Sequence, residues 1–144
     1  LGTICETFHG KVANVDYKSV RYPGHMQLMN FFFHELLMRE RRDLAGEILT
    51  NAKPPVNNDV VYIHVSSEGM LDARLQRREF VRAYRPIELA GSAQTAIAWT
   101  TSASVVSVIE LVRDGALPQQ GFLKQEEIPL NAFLATTTGR LFSA

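Results

Sequence analysis

Val60-Val61-Tyr62-Ile63-His64-Val65-Ser66-Ser67, followed by Ala73-Arg74-Leu75-Gln76-Arg77-Arg78-Glu79-Phe80-Val81-Arg82-Ala83-Tyr84-Arg85-Pro86, decides the fold class. The first run is dense in β-branched and aromatic side chains, which fit a pleated, half-buried surface. In the second, Leu75, Phe80, Val81 and Tyr84 are interspersed with five arginines. Together they predict a hairpin with one face buried and one wet, connected over residues 68–72 where Gly69 falls. The arginines divide between the two strand faces, so no single basic stripe is expected. Glu79 and Glu88 supply local counter-charge.

On the carboxyl side, residues 92–113 contain no Gly or Pro. Ala93, Ala96, Ile97, Val105, Val108, Ile109 and Val112 predict an apolar helical surface, with Gly115 as its stop. A short helical piece near 130–138 should be closed by Gly139. On the amino side, residues 3–22 read as extended chain, with Val12, Val15, Tyr17 and Val20 as β-formers and Pro23-Gly24 as the break. From Met26 the period changes. Met29, Phe32, Phe33, Leu36 and Leu37 share one helical face, which predicts a helix over 25–40 and a second over 42–52, ended by Pro54-Pro55. This order is an α+β pattern: an antiparallel or mixed sheet of hairpins with helices packed on one face.

The chain has 144 residues and 46% hydrophobic content, which fits one globular domain. Fifteen cations balance fifteen anions, and that zero net charge argues against a nucleic-acid partner. No run of about 18 apolar residues marks a membrane span. One cysteine, Cys5, excludes a disulfide framework within the chain and suits a reducing compartment such as the cytoplasm. The start at Leu1 without a signal-peptide pattern suggests processing or an internal piece of a longer protein. Arginine supplies eleven of the fifteen cations, and arginine recognises carboxylates and phosphates bidentately.

Much catalytic chemistry is missing from the pattern. The nine glycines form no dinucleotide fingerprint, and there is no phosphate loop or nucleophile elbow. His9, His25, His34 and His64 have no metal-site spacing, so no metal is expected. Three places suit an anionic ligand, of which the Arg-rich strand 74–85 reads more readily as a solvated face or a partner sheet. Arg21-Tyr22-Pro23-Gly24-His25 ends the predicted strand and opens a helix, whose N–H groups favour carboxylates; alternatively it is a plain structural joint. Thr100-Thr101-Ser102 sits within the apolar helix, as hydroxyls bonded back to the preceding turn, as a polar notch facing a ligand, or as a cap if the helix starts near Trp99.

Tyr17-Lys18-Ser19-Val20-Arg21-Tyr22-Pro23-Gly24-His25 resembles the YKT-x-RYPGH stretch of the saccharopine dehydrogenase family. Three later segments resemble that family in the same order: Phe80–Pro86 leading to Thr95–Thr101, then Asp114-Gly115-Ala116-Leu117-Pro118, then Gly121–Ile128. Thr101-Ser102-Ala103 departs from it, since many members have Thr-Thr-Gly followed by a proline there. The likeness is to the carboxyl-terminal, substrate-binding part of bacterial members and runs from about Val15 to Phe142.

The resemblance implies a domain similar to the carboxyl-terminal domain of glyceraldehyde-3-phosphate dehydrogenase. A Rossmann domain binding NAD or NADP would lie upstream, and the active parent would be a homodimer. The parent would oxidise or reduce the C–N bond of an amino acid or secondary amine, such as saccharopine, lysine or carboxynorspermidine. Arg21 would clamp a substrate carboxylate, Tyr22 and His25 would hydrogen-bond beside it, and Thr100 and Thr101 would line the opposite wall. No catalytic residue or cofactor is expected within this chain, and no turnover from it alone. The alternative is a non-catalytic small-molecule-binding or assembly module of the same fold.

Overall fold

The computed structural model describes residues 2–143 and is α+β. The chain divides into two compact units, one of residues 5–56 and the other of residues 2–4 with 57–143.

The larger unit is built on a ribbon. Strand β1 (Val61–Leu71) pairs antiparallel with β2 (Arg74–Tyr84) in one unbroken register, from Val61 opposite Tyr84 to Leu71 opposite Arg74. Eleven pairs at roughly 3.4 Å per residue make it about 37 Å long. The connection is tighter than the sequence predicts. Asp72 and Ala73, at φ 53° and 58°, form a two-residue turn, and Gly69 lies inside β1 opposite Gln76. Positive φ at both central positions is the mark of the turn whose twist matches its flanking strands.

The register also sorts the charges. Residues directly opposite share a face, so Arg74, Arg78 and Arg82 stand with Val61, Ile63, Val65, Phe80 and Tyr84, and that face carries no carboxylate. The Arg82 guanidinium sits 5.8 Å over the Phe80 ring. The opposite face holds Glu68, Arg77 and Glu79, with Glu79 bonded to both Arg77 and His64. Those two partners, Arg77 first, hold the Glu79 carboxyl below the usual carboxylate range. The arginines of the strand divide between both faces as expected, three on one and Arg77 on the other. The expected burial of one face is not seen, since Tyr62, Val65, Leu75 and Val81 all remain exposed.

Beyond Tyr84, strands β3 (Ile87–Leu89) and β4 (Ser92–Gln94) form a second, small antiparallel sheet around Ala90-Gly91, also at positive φ. Helix α4 (Ala96–Arg113) follows, so the segment 92–94 that reads as helix is strand. Its end is as predicted: Gly115 adopts φ 72°, and Ala116 N–H reaches back to the Leu111 carbonyl. The packing face differs from the expected one. Ala96, Trp99, Thr100, Ala103, Ser107 and Leu111 are buried, whereas Ile97, Val105 and Ile109 are exposed. Small residues win that face because they let the aromatic cluster approach the helix. Trp99 meets Tyr84 edge-on at 5.5 Å and Phe142 at 5.3 Å, and its Nε1 donates to the Arg85 carbonyl at 2.8 Å. By length and composition α4 could also cross a membrane, though its buried stripe belongs to this core.

Helix α5 (Leu130–Ala135) and a 3-10 turn at Gly139–Ser143 complete the unit. Gly139 opens that turn and does not close a helix over 130–138. The Thr138 hydroxyl and N–H both donate to Glu110 of α4, at 2.6 and 3.2 Å, which ties the carboxyl-terminal turn to α4.

In the smaller unit, α1 (Ile4–Phe8) begins at the boundary, and residues 12–22 form no strand. The β-formers there have no partner strand, and a lone strand leaves its backbone groups unpaired. Helix α2 (His25–Asn30) runs into a π-helical turn at Phe31–Glu35, where Leu36 N–H bonds to the Phe31 carbonyl. Leu37 then enters the left-handed region at φ 54°, and a 3-10 turn (Met38–Glu40) precedes α3 (Arg42–Ala52). A continuous helix over 25–40 is thus broken by the wide turn at three successive phenylalanines and by Leu37.

Two outcomes follow for stability. A Cβ on buried Gly139 would overlap the Phe133 carbonyl oxygen, which cannot retreat without moving α5. Gly139→Ala is expected to cost about 1–3 kcal/mol in urea unfolding, whereas Gly46→Ala, where a Cβ meets nothing within 4 Å, should be neutral or stabilising. The Thr138 hydroxyl, then its N–H, lower the Glu110 pKa below 4.5. A depressed carboxylate contributes stability above its unfolded pKa and loses it as pH falls through the folded one. The stability gap between wild type and Glu110→Gln should therefore be level above pH 4.5 and shrink below it; a gap unchanged by pH would refute this contact.

Candidate functional site

At residues 21–25, the chain turns through Tyr22-Pro23-Gly24, with His25 N–H bonded to the Tyr22 carbonyl at 3.1 Å. Proline presets its own φ, and Gly24 at φ 83° takes a conformation that a side chain would oppose. The coil that leads into this turn is exposed throughout. Tyr22 is 91% exposed, and Arg21 is exposed with one Nη1 donating to the Val20 carbonyl at 3.1 Å. Among the described residues no carboxylate pairs with Arg21. A guanidinium so placed keeps most of its donors for an incoming anion. His25 is half-buried at the head of α2. The joint is coil-to-helix, and α2 is only six residues long, so its dipole adds little.

Thr100 and Thr101 sit in the first turns of α4. The Thr100 hydroxyl is buried and donates to the Ala96 carbonyl at 2.7 Å. It retains acceptor capacity, but its proton is engaged. Thr101 is exposed, and its carbonyl accepts from the Ser104 hydroxyl at 2.8 Å. Of the alternatives open to this threonine pair, back-bonding therefore describes Thr100. The helix starts at Ala96, capped by the Thr95 hydroxyl, so Thr100 and Thr101 are not its cap. Arg21, Tyr22 and His25 are together in the smaller unit, while Thr100 and Thr101 are together in the larger one.

The sequence reading missed Asp59. Its two carboxylate oxygens accept the N–H groups of Ala96 and Ile97 at 2.7 and 2.8 Å. The start of α4 is thus already supplied with an anion, one from the chain itself. Asp59 reads locally as turn chemistry with Asn57 and Asn58, and nothing in a 37-residue separation announces the contact.

Elsewhere, an open, largely apolar concavity of about 430 Å³ in the smaller unit is lined by Phe33, Arg39, Arg42, Ala45, Gly46 and Leu49, none of them an expected ligand residue. No cluster of metal-ligating side chains occurs among the described residues. Compared with known proteins, the chain matches no family model, no curated protein and no solved structure.

Asp59→Ala should bare two N–H groups at the start of α4 and lower stability by about 0.5–2 kcal/mol. Chemical denaturation checks this, with Asp59→Asn expected to recover part of the loss. A variant as stable as wild type would show that water replaces the carboxylate at no cost.

Proposed function

We propose that the chain is the substrate-binding and dimerisation domain of a saccharopine-dehydrogenase-like oxidoreductase, with a fold similar to the carboxyl-terminal domain of glyceraldehyde-3-phosphate dehydrogenase. The observation that carries the reading is the Arg21–His25 turn. It coincides with one of the four resembling segments, it holds Gly24 at positive φ, and it presents an arginine that pairs with no carboxylate among the described residues. That arrangement suits a ligand bearing a carboxylate, as amino acids and their secondary-amine conjugates do.

In this reading the parent protein acts on a C–N bond with NAD or NADP bound in an upstream domain. The nicotinamide supplies the hydride chemistry when bound. Arg21 fixes the substrate carboxylate through paired N–H donors, Tyr22 offers its hydroxyl and His25 its ring nitrogens. Holding the substrate still lowers the entropic part of the barrier without taking part in bond breaking. Cytoplasmic location and a homodimer belong to the same proposal.

Arg21→Ala is the direct test. Arg21 makes one backbone contact on the exposed turn, so its loss should leave folding intact. In the protein carrying the nicotinamide domain, the substrate KM should rise at least tenfold, about 1.4 kcal/mol of binding. Thermal shifts by amino dicarboxylates should shrink in parallel. A kcat/KM within twofold of wild type would remove Arg21 from the substrate site.

A further inference from the structure

Strand β1 has one hydrogen-bonded neighbour, β2, and among the described residues its other edge pairs with no strand. An unpaired edge exposes a row of N–H and C=O groups, and proteins normally blunt such edges with Lys, Arg, Pro, a bulge or shortness. The other edge of this ribbon is blunted: β2 carries Arg74, Arg77, Arg78 and Arg82. Strand β1 carries a single charged residue, Glu68, and otherwise none of these devices. It runs eleven residues with no bulge in its register and without Lys, Arg or Pro.

Its sequence is, moreover, complementary to itself. When two copies of one strand pair antiparallel about a two-fold axis normal to the sheet, opposing residues must share a face, so their numbers sum to an even value. A sum of 132 aligns the full strand, Val61 to Leu71, with its copy. Val61 then faces Leu71, Tyr62 faces Met70, Ile63 faces Gly69, His64 faces Glu68, and Ser66 faces itself. Val65 faces Ser67, the other apolar residues meet apolar ones or glycine, no like charges meet, and the one acidic residue meets the one histidine. Two copies of β2 would instead gather eight arginines and two glutamates at one seam.

We infer that the edge of β1 is the dimer interface of this protein, two copies joining in that register into one four-stranded antiparallel sheet. The inference rests on the homodimer in the function proposed above and identifies the surface that forms it; it does not need the substrate assignment. The exposed side chains of Tyr62, Val65 and Met70 gain cross-strand neighbours from the second copy.

Cross-linking and sedimentation equilibrium of the chain test the register. Ser66 lies on the proposed axis, where directly opposed Cα atoms stand roughly 4.5–5.5 Å apart, a separation that a disulfide spans. In a Cys5→Ser background, Ser66→Cys should form a covalent dimer on mild oxidation. Ser67→Cys should not, since residue 67 opposes Val65 and its own copy lies beyond bridging distance. Ser66→Lys places two ammonium groups against each other at an exposed position and should shift the dimer to monomer, with circular dichroism unchanged. A wild-type chain that stays monomeric up to its solubility limit overturns both this surface and the homodimer. A dimer indifferent to Ser66→Lys, without the Ser66→Cys cross-link, overturns the β1 edge while leaving a homodimer in place.

Discussion

The larger unit depends on one buried indole. Trp99 reaches the ribbon through Tyr84, the link to the small sheet through the Arg85 carbonyl, and the carboxyl-terminal turn through Phe142. Four distinct segments thus share a side chain whose single polar atom is satisfied. Indole burial is favourable only on that condition, because an unpaired N–H in an apolar setting would offset much of the gain. The small residues on α4 follow from it. Ala96, Ala103 and Ser107 leave the room that the rings occupy, and Ser107 and Thr100 return their hydroxyl protons to the helix backbone so that no buried donor is stranded.

Sequence patterning made the ribbon, α3, α4 and the Gly115 stop legible, because each is governed by local chemistry. Period-two β-branched residues, a Gly/Pro-free run and a glycine past its end are signals spanning a few residues. The buried face of α4 was not legible for the opposite reason. Ile97, Val105 and Ile109 are the more apolar residues, but the face is chosen by what stands across from it, and small residues give no hydropathy signal. The 12–22 stretch shows the same limit: β-propensity describes side chains that fit a sheet and does not provide the sheet. The sign of Asp59's role was likewise hidden in a tertiary contact.

The candidate ligand residues divide by the same logic. The Arg21–His25 turn could be read from Pro-Gly chemistry, and the structure places Gly24 there at positive φ. Thr100 and Thr101 could be read only as a choice between roles, and the helix start at Ala96 separates them: one hydroxyl engaged inside the helix, the other exposed. Charge sorting on the ribbon lies between these cases. It follows from period-two alternation along β2, where Arg74, Arg78 and Arg82 are spaced by four, and the placement of the turn decides only which β1 residues stand with them.

That turn has a further consequence, for the order in which the ribbon assembles. A two-residue connection with both φ values positive favours glycine or asparagine, and here the second position is alanine. The tip is therefore a costly place to begin. Tyr84, at the far end, is buried against Trp99, so closing the ribbon from its base incurs the entropy of a longer loop but gains a hydrophobic contact at once. The foot of the ribbon is thus held by packing, and its tip by strand pairing alone across a turn that alanine fits poorly.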